Sequence, residues 1–293
     1  MELYRAYFRI LRHHLRGIIM YVLIVIGIII IMTLQLQKVQ YYYVDRMLDN
    51  YMKIWETYIS QGTPKTEFDL YNRFMGDGNN AIILYTFLNY AAFSVLSLVS
   101  TGTAIMHIEF QNENISKRIK STPIKKSKMM CSLMLANGLL AVGIWMLHML
   151  VAVYLPGNQL FNIKGILVAL NLFALAMAAM SFASLTARYC KKRSRSAITV
   201  NIITLLVCLV SGIFTPQYLM GSSSKTIAVF TPVYWYARTN SLIGEYQFTE
   251  FADYAEVIRC IGIQILFAVG MMIVAIAIDR YREREKGNML QEW

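Results

Sequence analysis

Residues 165–187 read GILVALNLFALAMAAMSFASLTA, an uncharged stretch closed by Lys164 on one side and Arg188 on the other. At 1.5 Å rise per residue, about 20 apolar residues cross the ~30 Å hydrocarbon core of a bilayer as one helix. Working outward, five more such runs stand at about 17–36, 81–107, 129–154, 196–219 and 256–279. With the run at 164–188 they make six. The chain reads as an all-α integral membrane protein, one domain over residues 1–293 with six transmembrane helices.

Composition agrees. Hydrophobic residues make up 57% of the chain and charged ones 15%, with a mean hydropathy of +0.45; a soluble domain carries about 25% charge. The net charge of +11 fits basic cytoplasmic loops facing anionic lipid. Nucleic acid is excluded as a partner, because no basic surface is interleaved with stacking aromatics. Cys131, Cys190, Cys208 and Cys260 lie in or at the ends of apolar runs and form no C-x-x-C pair. They read as small apolar residues rather than a metal site or an external disulfide framework.

Basic residues set the orientation. With both termini and the second and fourth loops on one side, that side holds 19 Lys and Arg against 9 opposite. The richer side is expected to be cytoplasmic. An odd span count would place the C-terminal Arg280, Arg282 and Arg284 outside, so six fits best. The first run is too long for a signal-peptide core and has no small-x-small cleavage site, so it is expected to stay as an anchor. The expectation is a multi-pass protein of the plasma (inner) membrane with both ends cytoplasmic.

Three segments outside the spans carry pattern. In 2–16, Arg5, Arg9, Arg12 and Arg16 share one helical face, with Leu3, Tyr7, Ile10 and Leu11 opposite. That pattern suits a helix lying in the interface, or else a charged flank that orients the first span. Residues 37–80 open with Val44, Leu48, Tyr51, Trp55 and Tyr58 at helical spacing and break near Gly62-Thr63-Pro64. This part extends the first span or packs over the bundle. The second loop runs from Glu109 to Ile124. There Ile115 and Ile119 fall on one side of a short helix, and Pro123 ends it. An apolar pair on a basic helix below the membrane suits docking into a partner's groove; a plain basic loop at the headgroups is the alternative.

The order of Glu113, a short apolar-spaced helix and Ser121-Thr122-Pro123-Ile124 is similar to the loop after the second span of ABC type-2 permeases. Where that family often has a glycine after the acid, this chain has Asn114. At the end of the fifth run, Ser211-Gly212-Ile213-Phe214-Thr215-Pro216 resembles the family's Ser-Gly-x-Phe-x-Pro signature. Beyond it, Thr226–Phe230 and Ala237–Ile243 are apolar pieces too short to cross, cut by Gly221 and Pro232. Tyr234, Trp235 and Tyr236 suit the headgroup level. These pieces read as re-entrant helices or as an aromatic surface loop.

The resemblance covers the whole layout and implies a mechanism. Glu113, Ile115, Ile119 and Pro123 would form the coupling helix that touches a separate ATPase subunit. Gly212, Phe214, Pro216, Pro232 and Trp235 would build a re-entrant pair capping the external side. Asn89, Asn201 and Thr204 would line the substrate path. The partners implied are two ATPase copies and a second permease chain, identical or similar. ATP and Mg would sit on the ATPase, with no cofactor bound by this chain.

Absences in the spans point the same way. Spans one to five hold no Asp, Glu, Lys or Arg in their centres, and Arg259 and Asp279 stand at the ends of the sixth. Ion-coupled carriers need an intramembrane carboxylate to load the ion, so the energy is expected from outside the bundle. The chain has no G-x-x-x-x-G-K-[ST] loop, no H-E-x-x-H and no G-x-S-x-G, so it is expected to be a transport subunit rather than an enzyme. His107 and His148 lie too far apart in depth to share a site and are expected to be hydrogen-bonded or interfacial. Asn89, Ser94, Ser97, Asn137, Asn171, Ser181, Ser184, Asn201, Thr204 and Gln264 are among the uncharged polar residues of the spans, expected mostly to join helices. The function expected is export of a hydrophobic drug, antimicrobial peptide or lipid-like molecule. The competing classes are a membrane scaffold or sensor, which would not stimulate an ATPase, and a lipid-modifying enzyme, which would need polar residues converging at one depth.

Overall fold

A computed structural model of the protein describes residues 19–20, 22–27, 30–31, 66–111, 126–154, 161–189, 193–214, 220–245 and 251–289. Every regular element among them is helical. After the helical residues within 19–31 come α1 (Thr66–Gln111), α2 (Lys126–Tyr154), α3 (Ile163–Thr186) and α4 (Arg193–Val210). Two short helices follow, α5 (Ser222–Ala228) and α6 (Pro232–Glu245), and then α7 (Phe251–Met289).

Four helices are long and apolar enough to cross a membrane, over Phe87–Phe110, Met129–Tyr154, Ile163–Thr186 and Asp253–Tyr281. They correspond to the second, third, fourth and sixth runs. The expected interfacial helix 2–16, half of the first span and the patterned part of 37–80 lie outside the described residues. Two boundaries differ from the sequence reading. The helix of the second span starts at Thr66 rather than near 81, and its 46 residues run about 69 Å at 1.5 Å each. Hydropathy finds only the lipid-facing part of such a helix, because backbone hydrogen bonding continues past the membrane edge. The fifth helix ends at Val210, short of the expected 219. Gly212 there adopts φ 89°, a left-handed conformation open to glycine at little cost, and it turns the chain. The apolar part, Ser196–Val210, is a shorter helix than the other four.

Helix starts follow their capping residues. Asn162 caps α3, its side chain accepting from Gly165 N at 2.9 Å. Thr231 does the same for α6 through Tyr234 N at 3.3 Å, and Pro232 takes the first helical position, where no N–H is needed.

The bundle is built around α1. Some 83% of its apolar window is buried, against 22% for α7. One core cluster joins Val95 and Val99 of α1, Ile144 of α2, Leu172, Leu175 and Ala179 of α3, Cys208 of α4 and Tyr236 of α6. A second, nearer the α6 end, joins Phe87, Leu88, Ala91, Ala152, Leu167, Leu242, Val257 and Cys260. Small residues let backbones approach where no water drives association. Ala174, Ala176, Ala178, Ala179 and Ala183 of α3 are buried, and a Cβ on Gly102 of α1 would stand 2.7 Å from Leu140 Cδ2 of α2. Outside, Leu135, Leu139, Met146 and Leu150 of α2 and Ile258, Leu266, Val269 and Ile273 of α7 are exposed. A molecule apolar both inside and out is suited to lipid, not to water.

Candidate functional site: a buried amide chain beneath α6

The α4–α6 connection folds back onto the bundle. After the turn at Gly212, Phe214 packs against Tyr90 and Phe93 of α1, with ring centroids 5.9 Å apart in both pairs. Ser211 and Thr231 share a hydrogen bond of 2.9 Å, tying the end of α4 to the α5–α6 turn. Trp235 Nε1 donates to Val229 O at 2.9 Å, and its ring meets that of Tyr234 edge-on at 5.5 Å. Gly212, Phe214, Pro232 and Trp235 are therefore gathered at one end of the bundle, whereas Pro216 lies outside the described residues.

Beneath this cap, α6 penetrates the bundle. Its 14 residues extend about 21 Å, too short to cross. Tyr236 is fully buried, and its hydroxyl donates to Leu88 O of α1 at 2.8 Å. One turn on, Asn240 begins a chain of amides through four helices. Asn240 Nδ2 donates to Asn89 Oδ1 of α1 at 3.3 Å. Asn171 Nδ2 of α3 donates to Asn240 Oδ1 at 2.8 Å and to Tyr236 O at 3.1 Å. Gln264 Nε2 of α7 donates to Asn171 Oδ1 at 2.7 Å. Asn171, Asn240 and Gln264 are all buried, and Gln264 Oε1 has no hydrogen-bond partner. An amide in an apolar interior is costly unless paired, so each member holds the next in place.

Smaller polar contacts fix the other helices. Asn201 of α4 accepts from Ser97 Oγ and donates to Thr101 Oγ1 at 2.9 Å, both on α1; Thr204, one turn away, is buried. His148 of α2 bonds Ser94 at 2.8 Å and Ile144 O at 2.8 Å. The carbonyl can only accept, so Nδ1 carries the proton, and in the neutral ring Nε2 accepts from Ser94. His107 of α1 bonds Ser184 of α3 at 3.2 Å. Ser94 and His107 stand about 20 Å apart along α1, so the histidines serve separate contacts, as expected.

At the opposite end from α6, Arg188 is buried against α7. Its Nε and Nη2 donate to both oxygens of Asp279 at 3.0 and 2.7 Å, and Nη1 donates to Ser184 O. The Arg188 side chain is 2% exposed and that of Asp279 26%. Among the described residues no three metal-ligating side chains gather. The arrangement holds helices together with directional bonds at several depths and leaves broad apolar faces outward.

Residues 57–278 match the family model described as ABC-2 family transporter protein. The chain belongs to that family. No curated protein and no solved structure matches it. This ABC-2 protein is thus a multi-pass membrane transport component, and its family associates generally with an ABC ATPase.

Within the ABC-2 chain, Glu113, Ile115, Ile119 and Pro123 fall in the matched region but outside the described residues. Asn89 and Asn201 are half-buried and bonded, yet they do not meet. The α1 partners of Asn201, Ser97 and Thr101, stand eight and twelve positions from Asn89, or about 12–18 Å along the helix. Sequence reasoning placed Asn171 and Gln264 among helix-joining residues and missed Asn240, whose segment read only as a short apolar piece. It counted Arg188 only among the basic residues that set the orientation, at the end of the fourth run. A buried arginine needs a carboxylate, and Asp279 was the available signal.

Proposed function

We propose that the protein is the permease subunit of an ATP-driven exporter of the plasma membrane, with both termini cytoplasmic. It works with a second permease chain, identical or similar, and with two copies of a separate ATPase that bind ATP and Mg. The match over residues 57–278 carries this reading. It is supported by Asp279, the membrane-end carboxylate of α7, being gripped by Arg188 rather than left open to load a coupling ion. ATP binding closes the ATPases, moves the segment around Glu113, Ile115, Ile119 and Pro123, and rocks the bundles between inward and outward access. The cap of Gly212, Phe214, Pro216, Pro232 and Trp235 gates the external side, with α5 and α6 re-entrant. Asn89, Asn201 and Thr204 border the path of a hydrophobic or amphipathic substrate.

The test is isolation of the tagged chain from its native membrane and identification of an ATPase that comes with it. Ile115→Asp combined with Ile119→Asp is expected to abolish that co-purification while the permease still inserts. Unchanged complex formation would refute the docking segment.

A further inference from the structure

We propose that the buried Arg188–Asp279 pair, together with Ser184 and His107, is the link that carries movement of the segment after α1 into α7. This rests on the reading of that segment as the ATPase-coupling element.

The geometry forms one continuous path. His107 stands one turn before Gln111, the last described residue of α1. Its Nε2 bonds the Ser184 hydroxyl of α3 at 3.2 Å. The carbonyl of the same Ser184 accepts from Arg188 Nη1. The other guanidinium nitrogens hold both oxygens of Asp279 on α7. Ala104, Ala187 and Val200 pack together as one small cluster, with Phe182 against it.

Two further observations give the path a purpose. A buried ion pair at the end of a span is weak evidence for stability, because a packed apolar pair would hold two helices at least as well. Arg188 is nonetheless 2% exposed. In addition, α7 packs along α3 and α6 but leaves most of its window exposed, with 22% buried, and among the described residues two polar contacts tie it to α3 at different depths. One is Gln264 to Asn171 and the other is Asp279 to Arg188. They lie about 22 Å apart along α7. With both intact, α3 and α7 move as one pair, and a displacement at His107 reaches the amide chain under α6. Without the ionic tie, α1 and α3 can move while α7 stays behind.

The experiment uses the full-length permease with its co-purifying ATPase in nanodiscs. The four cysteines are replaced by alanine, and spin labels are placed at Leu135→Cys and Ile273→Cys, on exposed faces of α2 and α7. In this background the label–label distance is expected to shift when ATP hydrolysis is trapped with vanadate. The neutral variant R188M/D279L is expected to assemble with the ATPase and lose the shift, and the reversed pair R188D/D279R is expected to regain it. A neutral variant that shifts as the parent does, or a reversed pair that stays silent in an assembled complex, overturns the inference alone. A parent chain that captures no ATPase removes the coupling reading itself, and this inference with it.

Discussion

Asn171 is the residue on which most of the buried polar structure converges. It donates to Asn240 and to Tyr236 O, and it accepts from Gln264. Asn171→Leu leaves the Gln264 amide and the Asn240 oxygen without these partners in an apolar interior. Stranding buried groups in this way costs about 1–3 kcal/mol each. Ser181 is also buried on α3, but its hydroxyl bonds Met177 O of its own helix, so Ser181→Ala is expected to change little. Heating both variants in detergent and following the monodisperse fraction by size exclusion should give a clear fall in midpoint for the first and near-parent behaviour for the second. Equal midpoints would mean that the amide chain does not hold the bundle. The sequence showed Asn171 and Gln264 as polar residues in apolar runs, which suffices to predict that they bond other helices. It could not pair them, because the partners lie 69 and 93 positions away along the chain and nothing local encodes that meeting.

At the scale of elements, the short helices depend on local chemistry that can be removed. Gly212 has φ 89°, and a β-branched residue there is strained by about 1–2 kcal/mol. Gly212→Val should therefore lower the thermal midpoint and loosen Phe214 from Tyr90 and Phe93. Thr231 both caps α6 and bonds Ser211, so Thr231→Val is expected to cost about 0.5–2 kcal/mol. Hydrogen exchange confined to residues 220–245 would locate that loss, and faster exchange elsewhere instead would contradict it. Legibility differed by element for physical reasons. The run at 129–154 lies within α2 (Lys126–Tyr154), with Lys128 before it and Pro156-Gly157 after it. The start of α1 was hidden because a helix that leaves the lipid keeps its backbone pattern while losing its apolar signature. The end of α4 was overrun because the apolar run continues past Gly212 although the helix does not.

For the whole molecule, the distribution of apolar surface is the main physical fact. The central α1 is enclosed, and the outer faces of α2 and α7 are left bare, with Leu150 and Leu266 each 70% exposed. A lipid-soluble carbene reagent in reconstituted bilayers is expected to modify the segments around Leu150 and Leu266 several-fold more than those around Val99 and Leu172. Labelling centred on α1 would contradict the packing. The same layout separates holding from driving: directional bonds join the helices at several depths, and the power to move them is expected from a partner. The most direct test of that claim is reconstitution of the purified chain in liposomes with and without its ATPase, following ATP turnover and the release of a trapped amphipathic dye. The account predicts movement only when both the ATPase and ATP are present. Movement driven by an imposed proton or sodium gradient in liposomes holding this chain alone would contradict it.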